Sequence, residues 1–286
     1  MTNEQLRKPA VVNRSSKAPD VTIVMPVKNE AANLRVVLPE LPKVHEIVLV
    51  DGGSVDGTVE TARALEPSIR VIHQTRRGKG NALACGFAAA TGDILVMFDG
   101  DGSADPAEIP RFVDTLIDGA DFAKGSRFAP GGGSHDITPL RRWGNAGLHF
   151  VANTAFRTQF SDLCYGYNAF WRDLLPVLDL PDIETAPPAG SMIWGDGFEI
   201  ETVINCRMAG AGVRIAEVPS VERRRMHGDS NLRTFADGTR VLRTIVAERR
   251  RHRRLRRLHG ALPHAQWPPA SPTAQFEDRD GLEATA

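Results

Sequence analysis

Ile94-Leu95-Val96-Met97-Phe98-Asp99-Gly100-Asp101-Gly102-Ser103 decides how this chain folds. A mostly apolar run leads straight into two aspartates one residue apart, then a glycine and a serine. Such a run reads as a strand buried on both faces of a sheet. At its end Asp99 and Asp101 repel each other and raise each other's pKa unless a cation lies between them. Hard oxygen ligands at the end of a buried strand suit Mg2+ or Mn2+ holding a phosphate. Asp-Gly is also a common turn pair. The aspartates alone would therefore fit a plain cap on the next helix, and the rest of the chain has to decide.

On the N-terminal side, Gly92-Asp93 turns into this strand from an alanine-rich helix. That helix opens on a basic loop, Arg76-Arg77-Gly78-Lys79-Gly80-Asn81. Before it, Ile69 to Gln74, Glu46 to Asp51 and Val21 to Val27 read as strands. Leu34, Val37, Leu38 and Leu41 form one face of a helix shortened or kinked by Pro39 and Pro42. Asp56 is a helix N-cap. On the C-terminal side, Ser103 or Asp105 caps a helix with Pro106 in its first turn. Ile109, Phe112, Val113, Leu116 and Ile117 recur there at helical spacing. Strand–helix alternation with short connections predicts an α/β fold with a mostly parallel, right-handed sheet and helices on both faces. Ligands of such sheets sit beyond the carboxyl ends of the strands, where the strand order reverses. Asn29, Glu30, Asp51, Asp99 and Asp101 all fall at such ends.

The second half is less regular. Asp121 to Phe128 reads as a strand, Gly131 to His135 as a mobile loop, and Leu140 to Phe156 as a helix. Tyr165 to Trp171 is a short aromatic strand, Pro187 to Ser191 a loop, Asp196 to Met208 a helix, and Val213 to Val218 a last strand. From Asp237 to about Leu258 a helix grows dense in arginine. Residues 1–19 read as a mobile arm and 261–286 as a disordered tail. The 286 residues carry 35 Lys+Arg and 35 Asp+Glu, a balance that does not argue for a nucleic-acid partner. Cys85, Cys164 and Cys206 have no disulfide or zinc spacing and read as core thiols of a reducing compartment. No apolar run approaches the ~20 residues of a membrane span, and the N-terminus has no signal-peptide core. A cytoplasmic protein is expected, at most lying on the inner face of a membrane.

Seven pieces in order resemble family-2 glycosyltransferases of the GT-A fold. They are PVKNE at 26–30, VDGGSVDGT at 50–58, RRGKGNAL at 76–83, DGDGSADP at 99–106, GSRF at 125–128, GFEIE at 197–201 and VPSVERRRMHGDSN at 218–231. The nearest likeness is to polyprenyl-phosphate sugar synthases of the dolichol-phosphate mannosyltransferase group. The resemblance covers roughly 21–232. Gly100 stands where the family usually has alanine, and Gly52 where it has a second aspartate. The membrane helices of some members have no counterpart here, which leaves the lipid acceptor open.

The resemblance implies one GT-A domain over 20–235, with a Rossmann-like nucleotide-sugar half at about 20–128 and a smaller mixed acceptor half at about 129–235. A basic helix follows at 236–260. It also implies metal-dependent, inverting transfer of a hexose from a GDP- or UDP-hexose to a polyprenyl phosphate. A soluble or secondary-metabolite acceptor is the alternative with the same donor chemistry, and an inactive nucleotide-sugar-binding module the alternative of another class. Pro26, Asn29 and Glu30 would lie along the nucleoside and Asp51 on the base. Asp101 would be the direct metal ligand, Asp99 would bind the ribose or reach the metal through water, and Ser103 can add an oxygen. Lys79 sits where a loop opens a helix, a place that suits an anion, or is an exposed loop lysine. Arg127 with Arg223 or Arg225 would fork a phosphate of acceptor or donor. His227 is either a late metal ligand or a structural or acceptor-contacting histidine. A phosphate acceptor, with second pKa about 6, attacks without a base. A hydroxyl needs one, and the candidate is Asp196, with Glu199 and Glu201 beside it. The arginine-rich helix would lie on an anionic membrane, pack on the domain, or bind a partner.

Overall fold

A computed structural model describes residues 14, 18–135, 137, 139–187, 192–228 and 234–259. Most of the expected N-terminal arm, the tail 261–286, residues 188–191 of the expected loop and 229–231 of the last motif lie outside the described residues.

The opening stretch forms the strand β4 (Ile94–Met97) in the middle of a seven-stranded sheet. Its neighbour β1 (Val21–Val27) runs parallel to it, with Val24 opposite Met97. On the far side of β1 lie β2 (Glu46–Asp51) and then β3 (Arg70–His73), both parallel. On the other side of β4, β7 (Asn168–Trp171) is inserted antiparallel between β4 and β5 (Phe122–Ser126). The last strand, β8 (Ile215–Pro219), runs parallel to β5. The chain builds outward from β1 in both directions. The order therefore reverses between β1 and β4, and a crevice opens at their carboxyl ends.

Helices cover both faces because β4 is apolar at every position. Leu95 and Met97 enter one core with Leu83 and Phe87 of α3 (Lys79–Ala89) and Ile200 and Ile204 of α7 (Ile200–Ala211). Ile94, Val96 and Phe98 enter the other, with Leu34 and Val37 of α1 (Ala31–Glu40) and Phe112 and Leu116 of α4 (Ile109–Ile117). Ile94, Leu95 and Val96 are fully buried, each contributing roughly 1.5–3 kcal/mol over an exposed position. Within the first half, α2 (Thr58–Leu65) packs beside α1, and within the second the short α6 (Leu175–Leu178) packs beside α7.

The glycine-rich stretch expected to be mobile is corrected in part. Gly133–Ser134 forms β6 and pairs with β9 (Val221–Glu222). Its partner lies far along the chain, so local composition could not announce it. The helix expected from Asp196 begins only at Ile200, because the Glu199 carboxylate braces a turn by accepting from Gly195 N at 3.0 Å and Gly197 N at 3.2 Å. Arg14 holds its part of the arm beside the ends of the interior strands β5 and β7, 2.6 Å from Asp121 and 2.8 Å from Asp173.

The arginine-rich segment is the helix α8 (Thr234–His259), which carries nine arginines between Arg240 and Arg257. Its apolar side, through Val241 and Ile245, meets Ala152 and Phe156 of α5 (Pro139–Phe156) and Cys206 of α7. The buried Glu248 accepts from Arg207 Nε at 2.9 Å and Nη2 at 3.0 Å, and from Trp194 Nε1 at 3.1 Å. Among the described residues no helix is long and apolar enough to cross a membrane.

Gly80 is needed where α3 begins. A Cβ there would stand 1.8 Å from Gly195 O. Gly80→Ala is expected to lower stability by roughly 1–3 kcal/mol or more, read as a fall in the urea midpoint. An unchanged midpoint would show that this approach is not tight.

Candidate active site

A cleft of about 890 Å³ lies at the carboxyl ends of β1 and β4. Its lining brings together Pro26, Asn29, Glu30, Lys79, Asp99, Asp101, Ser103, Arg127 and Arg225. All of these were legible as strand-end or loop residues. Asn29 holds a left-handed backbone, φ 57°, which asparagine tolerates. Its Oδ1 accepts from Val55 N at 2.9 Å, so it also pins the loop after β2. Gly100 has a physical reason as well, since a Cβ there would meet Val27 Cγ1 at 2.7 Å.

Asp99 and Asp101 are held differently. Asp99 Oδ2 accepts from Lys79 Nζ at 2.7 Å, and the same ammonium lies 2.7 Å from Glu201 Oε1. Burial raises the Asp99 pKa, and the charges of Asp101 and Glu201 add to it against Lys79. Burial alone would lower the Lys79 pKa, but Asp99 and Glu201 outweigh it and raise it. Lys79 thus bridges two carboxylates at the cleft floor and offsets part of their charge. Asp101 Oδ1 accepts from Ser103 N at 3.0 Å and Ser103 Oγ at 2.7 Å, which turns Oδ2 toward Arg225 Nη1 at 3.8 Å. Arg225 also pairs with Glu30 and donates from Nε to His227 O at 2.9 Å. Burial raises the Glu30 pKa, with Asp101 adding to it and Asn33 and Arg225 opposing.

The far wall is built around Arg127. Its Nε and Nη2 donate to Asp162 at 2.6 and 3.0 Å, and its Nη1 to Glu222 at 3.1 Å. The guanidinium lies over the Tyr165 ring, 5.0 Å from its centroid. Burial opposes ionisation of Asp162, yet Arg127 and Lys124 hold it down at about 2. Behind it the buried Lys124 donates to Gly125 O at 2.7 Å and Tyr165 O at 2.9 Å, and burial pushes its amine down to about 8.

Several expected site residues are placed elsewhere. Asp196 is corrected as a base: its carboxylate is buried, takes Arg76 Nε at 2.7 Å and Nη2 at 2.8 Å, and does not line the cleft. Arg223 does not join Arg225, because it turns to Asp105 at 2.6 Å and Glu40 at 3.6 Å. His227 is exposed, with its main chain fastened to Asn33. It forms no three-ligand set with Asp99 and Asp101, nor does any other group of described residues. The Asp51 carboxylate accepts from Gly53 N and Ser54 N, both at 3.1 Å, and lies outside the lining. Burial opposes its ionisation, but these donors with His73 hold its pKa below the usual value.

Tyr165, Gly166 and Glu222 also line the cleft without having been assigned a role from sequence. A Cβ on Gly166 would lie 3.2 Å from Lys79 Nζ and 3.4 Å from Asp99 Oδ2, so this glycine backs the charged floor. Glu222 could have been found only through its partner Arg127, far away in sequence.

The donor set at the Asp101 loop is all oxygen, with one carboxylate oxygen turned into the cleft. That chemistry fits a hard divalent cation which takes its remaining ligands from a bound diphosphate and water.

The family model described as Glycosyl transferase family 2 matches residues 22–178. The chain is 31% identical to an undecaprenyl-phosphate mannosyltransferase of Micrococcus luteus, over 74% of this chain and 87% of that protein. It is 33% identical to a polyprenol monophosphomannose synthase of Mycolicibacterium smegmatis, over 69% of this chain and 75% of that protein. Among solved structures, glucosyl-3-phosphoglycerate synthase from Mycobacterium tuberculosis, in complex with Mn2+, UDP and glucosyl-3-phosphoglycerate, superposes with a TM-score of 0.62. Its identity is 22%, over 82% of this chain and 81% of that one, a likeness of fold.

Proposed function

The chain belongs to glycosyl transferase family 2, and from that membership we propose that it moves a hexose from a nucleotide diphosphate sugar to a polyprenyl phosphate with the help of Mg2+ or Mn2+. The observation that carries the reading is the pair of strand ends at the switch point, with Asp101 Oδ2 turned into a cleft whose other walls carry Arg225 and Arg127. Asp101 and Ser103 would hold the cation, with Asp99 beside them. A cation there supplies Lewis-acid stabilisation of the charge that grows on the leaving diphosphate.

The chain's own residues bind and orient. Pro26, Asn29 and Glu30 face the donor side of the cleft. Lys79 offsets the charge of Asp99 and Glu201, which would otherwise repel a diphosphate. Arg225, held by Glu30 3.8 Å from Asp101, faces the place where phosphate would lie. Arg127 is saturated by Asp162 and Glu222, so it shapes the acceptor wall, and a phosphate would have to share it with Glu222. Polyprenyl phosphate suits a cleft without Asp196 as base, because an ionised phosphate needs no proton removed. The relatives named for polyprenyl phosphate acceptors support the same choice. Peripheral membrane contact through α8 follows as part of the reading.

The test is to incubate the protein with GDP- and UDP-hexoses, with and without polyprenyl phosphate, in Mn2+, Mg2+ or chelator. A lipid-linked hexose phosphate is expected only when both acceptor and divalent cation are present. Transfer to water-soluble phosphates with none to the polyprenyl phosphate would overturn the acceptor. Donor that is never consumed would overturn the enzyme reading.

A further inference from the structure

We propose that the rim of the cleft, formed by residues 192–198 and the exposed side of α8, docks on an anionic bilayer, with the small pocket between them taking a lipid headgroup phosphate. The purpose of this surface rests on the lipid-acceptor reading above; its geometry does not. Trp194 and Phe198 on the loop, and Leu242 and Val246 on α8, are each about two-fifths to one-half exposed. Leu242 and Val246 are one turn apart and share a face. Trp194 Nε1 donates to Glu248 Oε1 at 3.1 Å, so loop and helix present one surface rather than two.

The pocket of about 410 Å³ beside this rim is lined by Trp194, Glu199, Thr239, Arg240 and Arg243. Two arginines against the single Glu199 carboxylate give the lining a net positive charge. Arginine and a hydroxyl are the groups that recognise phosphate. Phe198 and Arg240 also line the large cleft, so a surface resting on this rim lies across the mouth of the active site. The neighbouring helix α5, whose Gly144 and Leu148 line the same cleft, adds Trp143 and Phe150, 80% and 74% exposed.

Charge favours the same occupant. The one acidic residue of α8 beyond Arg240 is Glu248, and it is buried on Arg207. Burial, and then the repulsion of neighbouring arginines, lowers the pKa of both Arg249 and His252. A helix whose cations repel one another, beside exposed tryptophan, phenylalanine, leucine and valine, has the composition of an interfacial anchor. A nucleic acid would satisfy the charge but leave the apolar groups in water.

The experiment is co-sedimentation of the full chain with vesicles of phosphatidylcholine alone or mixed with phosphatidylglycerol. Binding to the anionic vesicles is expected to be at least tenfold tighter. The doubly substituted Leu242→Glu/Val246→Glu chain, and separately Trp143→Ser/Phe150→Ser, should each lose about tenfold of it. Thermal unfolding of both serves as a check that these exposed positions have not disturbed the fold. Failure to bind anionic vesicles, full binding by both double variants, or a duplex DNA that competes with vesicles regardless of the apolar substitutions would overturn the proposal. The readout needs no turnover. Transfer to detergent-dispersed polyprenyl phosphate without vesicle binding would sink the docking surface alone. Vesicle binding without such transfer would sink the acceptor reading alone.

Discussion

Asp101→Asn is expected to abolish most of the proposed metal-dependent hexosyl transfer while leaving the fold intact. The asparagine Oδ1 can keep both bonds from Ser103, N at 3.0 Å and Oγ at 2.7 Å, so the loop after β4 stays in place. What changes is the atom 3.8 Å from Arg225, where a carboxylate oxygen becomes an amide nitrogen without a lone pair for a cation. A Lewis acid on a leaving phosphate is worth several kcal/mol, and each 1.36 kcal/mol is about tenfold in rate. The loss should therefore be at least about 10²–10³-fold in kcat/KM. The measurement is a Mn2+ titration of transfer, with thermal unfolding as the control. A variant that keeps the full metal-dependent rate would remove Asp101 from the cation.

Arg76→Leu is expected to produce a large loss of stability. The guanidinium and the Asp196 carboxylate are 4% and 2% exposed, and two hydrogen bonds of 2.7 and 2.8 Å join them. Arg76 Nη1 also donates to Asp182 O at 2.6 Å, and Asp196 O accepts from Gly80 N at 2.8 Å. Removing the cation strands a buried carboxylate, which costs about 3–5 kcal/mol. Arg76→Leu with Asp196→Leu should recover part of that loss, since no lone charge remains. Urea unfolding followed by circular dichroism reads both. A single variant that loses under about 1 kcal/mol would mean that water reaches the pair.

These two residues mark what could and could not be read from the chain. Asp101 was legible because its signal is local: an apolar run ends and polar residues begin, and the end of a buried strand is where an α/β sheet binds. The same logic named Asn29 and Glu30, which line the cleft, and Asp51, which does not; Pro26 came from the resemblance. Arg76 and Asp196 lie 120 residues apart, so an aspartate near a helix start looked free to act as a base. Arg223 and Arg225 stand two positions apart, so an extended chain would turn both to one side. The strand ends at Glu222, and Arg223 N donates to Ser103 O at 2.8 Å, which carries its side chain away from Arg225. Likewise β7 was visible as an aromatic run, but its antiparallel insertion depends on long connections whose course no local pattern fixes. Lys79 could be read either as facing an anion or as an exposed loop lysine, and its pairing with Glu201 required α7 to be in place.

The position of Glu248 makes the basic helix inseparable from the domain that carries it. One carboxylate serves Arg207 on α7 and Trp194 on the neighbouring loop, while Ile245 fills the space beside Cys206. A chain cut before Thr234 would leave the Arg207 guanidinium, 6% exposed, without its anion, and would open a gap over α7. The other arginines of α8 are held more loosely, Arg251 by Asp179 and Arg249 over the Phe156 ring, 6.0 Å from its centroid. If α8 docks on a bilayer as proposed, that affinity can change one substitution at a time, whereas the helix bearing it cannot be lost as a module. Descent can retune this tail more readily than it can discard it.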